Sequence, residues 1–471
     1  MFYIIFFLSV LLLVIGLYHA CKKLPEGLSL ESPEYYAGNV RFYRDLTWVD
    51  KLGTPHHDHQ IFNEVLSLVK DARRIVLLDM FLYNNLRGAV ESGYRELSGE
   101  LTDALLTQKK KYPEINIILV TDPINTVYGG YVNPYFEQLR QAGICVVITD
   151  LDPLRDSNFL YSPFWRLFIR PFGNKKGGLL PNPFGPGRVP VSSYLRMFNF
   201  KADHRKVIIA DQDNDLTALV SSANPHDGSS SHGNVAVGFS GPAVRYLLRS
   251  EKAVIKFSDT ISLPDLQPAY MEKELSRLGI KVLTESKIKQ TILAELAKID
   301  MGDQLVMVLF YLSARDVITA LKKACSRGAV IKIVLDPNKD AFGRTKKGMP
   351  NRQVAAELVE EGITVRWGNT HGEQLHSKMM LVDYGEGKSS LLIGSANFTR
   401  RNLNDFNLET KVMVRGNREE EVFADARSYF ELLWQNDSGR EFTLDYAGYA
   451  DNSKLRKFLY RVIEAIGVCT F

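Results

Sequence analysis

Charged side chains are missing from the start of this chain, cysteine is scarce throughout it, and neither sign of charge dominates the rest. The four cysteines (Cys21, Cys145, Cys325, Cys469) show neither close pairing nor metal-ligand spacing, which argues against a disulfide framework and a cysteine-built metal site. Cys145 in the strand-like run ICVVI and Cys325 in the helical run ITALKKACSRG are expected as core thiols, as suits a reducing compartment. Lysine plus arginine (58) barely exceed aspartate plus glutamate (54), so a net charge of +4 supplies no basic stripe for a nucleic-acid backbone. DQDND (211–215) lacks the central glycine and closing glutamate of a calcium loop and is expected as a hairpin turn. HHDH (56–59) lacks partner ligands and is expected as a solvated turn before a helix near Gln60.

What is present begins with MFYIIFFLSVLLLVIGLYHAC, uncharged from Met1 to Cys21. As a helix it spans about 30 Å, one hydrocarbon core, and predicts a membrane anchor. A cleaved signal peptide is the alternative, against which stand the missing basic leader and the lack of a small-x-small cleavage site. A lipoprotein signal ending at Cys21 meets a poor approach in Tyr18-His19-Ala20. Lys22 and Lys23 follow the apolar run, so the positive-inside rule points the body to the cytoplasm.

At 471 residues and 45% apolar composition, the chain has room for two or three cores. It repeats itself once. HRKVIIAD (204–211) is answered by HSKMMLVD (376–383), and the upstream runs fall into step. RRIVLLDMFLYNN (73–85) matches DQLVMVLFYLSAR (303–315), and INIILVTDPIN (115–125) matches VIKIVLDPNKD (330–340), each strand ending in Asp-Pro, where proline cannot continue the ladder. LSGELTDALLTQKKKYP and DVITALKKACSRG have helical spacing with basic C-terminal ends; FEQLRQAGICVVITD and VAAELVEEGITVRWG each read as helix, glycine stop and strand. The pattern predicts an α/β fold of two duplicated units, mixed sheets flanked by helices, packed about a pseudo-twofold axis that brings the two motifs together. The expected boundaries are an anchor over 1–21, a linker and lead-in over 22–59, units over 60–258 and 259–440, and a tail over 441–471.

On a strand, residues i and i+2 share a face and i+7 does not. His204 therefore projects with Lys206, and His376 with Lys378, while Asp211 and Asp383 are structural, holding strand ends. An imidazole beside an ammonium suits a phosphate: the lysine neutralises oxygens while the histidine attacks phosphorus or moves a proton. TALVSSAN (217–224) and LLIGSANF (391–398) place Asn224 and Asn397 at small-residue turns where amide donors complete a phosphate cradle; Ser222, Ser395 and His226 are expected against the substrate. HGNVAVGFSG (232–241) against NLETKVMVRG (407–416) sets Asn234 opposite Glu409, a station from which a side chain accepts a hydrogen bond from imidazole Nδ1.

The paired HxK(x)4D runs, each followed by a Ser-Ala-Asn turn, resemble the phospholipase D superfamily, the HKD enzymes, from about residue 60 to residue 435. The resemblance implies two α/β domains sharing one active site, a phosphohistidine intermediate, and no cofactor or metal. It casts His204 as nucleophile and His376 as general acid and base, roles the two can exchange, with Lys206, Lys378, Asn224 and Asn397 on the phosphoryl group. The sequence departs from the fuller pattern at Ser221, where the second copy has Gly394, and at Asn234, where an acid is common.

The first unit carries an insertion at about 151–200, in which DSNFLYSPFWRLFIRPFGNKKGG interleaves Phe159, Tyr161, Phe164, Trp165, Phe168 and Phe172 with Arg166, Arg170, Lys175 and Lys176. That mixture suits a segment dipping into lipid headgroups; a loop packed over the domain is the alternative. The tail's Leu455, Phe458, Leu459, Val462, Ile463 and Ile466 have the spacing of an amphipathic helix, docked on the core or lying on a membrane. The expected function is a membrane-anchored phosphatidyltransferase resembling cardiolipin synthase, with membrane and phospholipid as partners and no nucleic acid. A phospholipid hydrolase and a superfamily nuclease are the alternatives. A dead lipid-binding scaffold is disfavoured by the two intact motifs.

Overall fold

The computed structural model of the chain describes residues 1–50, 52–87, 95–173, 178–212, 215–259, 277–341, 344–436 and 439–468. Its short Val-, Ile- and Leu-rich runs form two large mixed sheets. The first runs in spatial order Pro55–His59, Gly38–Val49, Asn234–Ser240, Asp215–Ser221, Lys206–Gln212, Ile75–Met80, Asn116–Thr121, Cys145–Ile148. The second runs Tyr35–Tyr36, Gly279–Thr284, Thr410–Asn417, Lys388–Gly394, Lys378–Asp383, Gln304–Leu309, Val330–Leu335, Thr364–Gly368, Thr443–Asp445. From Gly38–Val49 to Cys145–Ile148, and from Gly279–Thr284 to Thr364–Gly368, the two orders correspond strand for strand.

Period-two alternation decides the layers. Val207 and Ile209 join Met379 and Leu381 in one core between the sheets. Ile208 and Ala210 face the other way, onto the helices Ile61–Asp71 and Leu97–Lys111, while Met380 and Val382 face Ser286–Lys298 and Arg315–Ser326. The protein is thus a helix–sheet–sheet–helix stack in which one buried layer belongs to both halves. The helices Ala243–Ser258 and Glu421–Gln435 close the flanks of that layer through Leu247, Val254, Phe423 and Phe430.

Several expectations change. Lys206 pairs with Met80 and Lys378 with Leu309, so the runs matched above stand one residue out of their structural register. The slip matters because it exchanges the faces of a strand. The stretch 22–59 is no linker: Gly38–Val49 and Pro55–His59 belong to the first sheet and Tyr35–Tyr36 to the second. HHDH is an edge strand rather than a turn, since His57 and His59 take up pairing with Thr47 and Asp45. In the tail, Thr443–Asp445 closes the far edge of the second sheet. Asp215 pairs with Gln212 across the hairpin expected over 211–215, of which residues 213 and 214 lie outside the described residues.

Candidate active site

Both regular strands start at the lysine of the motif, so each histidine stands in the irregular segment just before its strand. Those segments are held from the opposite half. The His204 amide donates to the Leu408 carbonyl (2.9 Å) and the His376 amide to the Gly233 carbonyl (2.8 Å). These are the same two positions exchanged between halves, as a pseudo-twofold axis requires.

The ring contacts are exchanged in the same way. His204 Nδ1 lies 3.0 and 3.1 Å from the two carboxylate oxygens of Glu409, in the second half. His376 Nδ1 lies 3.1 Å from the side-chain oxygen of Asn234, in the first half. Asn234 is oriented by its own amide, which donates to the His232 carbonyl (2.9 Å). Because both partners present acceptors, each Nδ1 carries the hydrogen and each Nε2 keeps a lone pair for chemistry.

The hydroxyls expected on the substrate serve these acceptors instead. Ser222 donates to Asn234 (2.9 Å) and Ser395 to Glu409, which also receives the Asn402 amide. They hold the Nδ1 partners in place. His226 is likewise occupied, its Nε2 2.7 Å from the Leu86 carbonyl and its Nδ1 3.1 Å from Ser229 Oγ. Asn224 accepts from the Leu82 amide (3.3 Å), and the Asn397 side-chain oxygen is buried with no hydrogen-bond partner. The aspartates of the motif point away from the site: Asp211 accepts from the amides of Arg74 and Ile75, and Asp383 from Ser389 and Arg427.

Lys206 and Lys378 are buried, and each donates to the carbonyl of its own histidine, at 2.6 and 2.5 Å. Burial pulls Lys206 down to about 7 and Lys378 well below the usual lysine range, the latter also opposed by Lys206 and Lys411. Burial also lowers His204 to about 4, against the pull of Glu409, and drives His376 well down with the help of Lys378. Glu409 stays below the usual carboxylate range: burial opposes its charge, but His204 and Lys206 favour it.

Four groups escaped the sequence reading. Phe81 and Phe310 lie against the two histidines, with ring centroids 4.8 and 4.9 Å away, and beneath Lys206 and Lys378 at 4.8 and 5.1 Å. Shifting the matched runs by one residue would have placed these phenylalanines opposite each other. Asp122 accepts from the Asp203 amide (2.7 Å) and Asp336 from the Leu375 amide (2.8 Å), each pinning the residue before a histidine. The repeated Asp-Pro was their signal, read for its proline alone.

The Ser221/Gly394 asymmetry has a steric cause. A Cβ on residue 394 would lie 2.2 Å from the Thr410 carbonyl oxygen and 2.7 Å from Lys411 Cα, whereas Ser221 has room to accept from the Ala223 amide. Among the described residues no cluster of His, Cys, Asp and Glu forms a candidate metal site.

Residues 294–434 match the family model described as cardiolipin synthase, phospholipase D-like domain. No curated protein matches the chain in sequence. The crystal structure of phosphatidylserine synthase from Haemophilus influenzae Rd KW20 is similar over 97% of both chains at 10% identity, with a TM-score of 0.57. Polyphosphate kinase from Porphyromonas gingivalis covers 91% of this chain and 53% of its own at 13% identity (TM-score 0.45). Nuc, a phospholipase D family member from Salmonella typhimurium, covers 35% of this chain and 97% of its own at 20% identity (TM-score 0.26). The second half thus carries a stretch similar to a phospholipase D-like domain, and the sheet of the first half repeats the strand order of the second.

Proposed function

We propose that the chain is a membrane-anchored enzyme that cleaves phospholipid phosphodiesters through a phosphohistidine and passes the phosphatidyl group to an alcohol. The observation that carries this reading is the exchange of Nδ1 partners between halves. With each Nδ1 engaged, the free Nε2 of both rings is left for one shared centre, a reading supported by the electrostatic reach of His204 and Lys206 to His376 and of Lys378 to His204. The family match to a cardiolipin synthase domain and the full-length likeness to a phosphatidylserine synthase support a phospholipid as the substrate. Phe2–Cys21, long and apolar enough to cross a membrane, supports anchorage, and Lys22 and Lys23 after it support a cytoplasmic body.

The unlike partners favour one division of roles. Attack by His204 Nε2 on phosphorus breaks the bond to the leaving alcohol and leaves a positively charged phosphoimidazole, which the Glu409 carboxylate neutralises. Asn234 offers no charge, so a protonated His376 releases its proton readily to the departing oxygen. The phosphodiester anion seated between Lys206 and Lys378 offsets their repulsion and raises His376 from its depressed state to hold that proton. His376, then neutral, takes the proton of the incoming alcohol as its oxygen displaces His204. Water in that place gives hydrolysis.

Incubating the full-length protein with phosphatidylglycerol vesicles should release free glycerol and form a diphosphatidyl product, read by mass spectrometry. Phosphatidic acid alone would assign a hydrolase, and DNA cleavage without lipid turnover would overturn the reading. His204→Asn and His376→Asn should each lower turnover by at least about 100-fold while leaving the circular dichroism unchanged.

A further inference from the structure

The C-terminal helix Lys454–Ile466 buries Tyr460 and Glu464 against the body and leaves much of its apolar side outward. Glu464 is buried and accepts from Ser313 and from the Arg400 amide; Tyr460 is buried with its hydroxyl 3.1 Å from Glu357. Leu455 and Phe458 are left 68% and 64% exposed, with Leu459 and Val462 beside them. Burying a carboxylate while two leucines and a phenylalanine stay outward is unusual for a helix that faces only water.

Three segments meet at this end of the molecule. Gly467, closing the C-terminal helix, lies so near the insertion that an added Cβ would strike the Ser157 carbonyl. On the other side of that loop, Gly16 of the N-terminal helix packs against Phe159 and Pro163, where a Cβ would come within 3.0 Å of each ring. The Asp156 amide donates to the His19 carbonyl, Lys22 to the Asp152 carbonyl and Arg155 to the Lys22 carbonyl, so the helix is clamped rather than tethered. Gly16 stands five residues before the end of the helix, which at 1.5 Å per residue sets the insertion about 7 Å up its length. A loop at that depth beside a membrane-spanning helix is in the headgroup region.

The insertion has the surface for it. Trp165 is buried and the Arg166 side chain is nearly covered, bound to Asp156, so these two expected headgroup contacts serve the loop's own core; Lys175 and Lys176 lie outside the described residues. Phe172 and Leu179, by contrast, are 76% and 74% exposed.

We infer that the outward face of the C-terminal helix and the aromatic rim of the insertion form one surface seated on the lipid bilayer, held there by the clamped N-terminal helix. This rests on the anchorage proposed above. It fixes the catalytic body against the membrane, because residues 157 and 158 also bind the carbonyls of Phe198, Asn199 and Phe200, which lead into His204.

The test reconstitutes the native full-length chain in nanodiscs of phosphatidylglycerol and phosphatidylcholine that contain a phospholipid with a photoactivatable carbene near its headgroup. Peptide mapping should find the segments bearing Phe172, Leu179, Leu455 and Phe458 labelled about tenfold above those bearing Leu52 and Met301, which are as exposed but lie elsewhere. Leu455→Glu with Phe458→Glu should cut labelling of the C-terminal helix by about tenfold while leaving the N-terminal helix labelled. Labelling confined to residues 1–21, or cross-links joining the C-terminal helices of two copies, would overturn the inference. Labelling does not depend on turnover, so the expected pattern without lipid chemistry sinks the functional reading alone, and lipid chemistry without the pattern sinks this surface alone.

Discussion

At the scale of single residues the two imidazoles differ most in what each Nδ1 touches. Glu409 raises His204 against burial, and Asn234 does nothing of the kind for His376. In the proposed mechanism His204 attacks as the neutral ring, so the limb of kcat/KM that it sets should lie near pH 4, well below free imidazole. Lys206, proposed to hold the phosphate as a cation, loses its proton near 7, so kcat/KM should decline as the pH rises through that value. Glu409→Gln removes the group that raises His204; the acid limb should move lower still, and the plateau should fall by about 100-fold or more. A pH–rate profile of both proteins checks the three expectations. The histidines, the lysines and the Asn234/Glu409 station were legible in the sequence because they recur at fixed spacing. That each station serves the histidine of the other half was not, because a linear pattern carries no sign of which half faces which.

At the scale of elements, the strands were legible from their apolar runs, but register was not. Both candidate matches of 73–85 with 303–315 pair mostly apolar residues, since a strand buried on both faces loses the alternation that would tell them apart. The ladder contacts of Lys206 with Met80 and Lys378 with Leu309 decide it. The lead-in escaped for a related reason: GNVRFYRDLTWV mixes polar and apolar residues, and its pairing with Asn234–Ser240 bridges far-apart stretches of chain. Close packing of strands makes a specific demand at Gly394, whose φ of +150° and closeness to Thr410 and Lys411 leave no space for a side chain. Gly394→Ser, which copies the first half into the second, should cost about 1–3 kcal/mol in urea unfolding. Ser221→Gly, the reverse exchange, loses only one hydroxyl contact and should cost less.

At the scale of the whole molecule, the two halves share a core and an ion-pair network that belongs to neither. Arg205, fully buried, binds Glu251 (3.0 Å) of the first half and Glu285 (2.7 Å) of the second, and Glu285 also accepts from the Glu409 amide. Arg205→Met strands two buried carboxylates and should cost about 3–5 kcal/mol, seen as a lower Tm; adding Glu251→Gln and Glu285→Gln should restore part of the loss. Nothing in HRKVIIAD marks its second residue for this task, because only assembly brings the two carboxylates to it. The sequence by itself determined the duplication, the strand-helix alternation and the recurrence of the motif's residues, since these are written in periodicity and in residue type at short range. Only the tertiary structure decided the exchanged partners, the strand register, the seat of Arg205 and the outward apolar face of the last helix, because each depends on contacts between segments far apart in the chain, whose free energy no local pattern records.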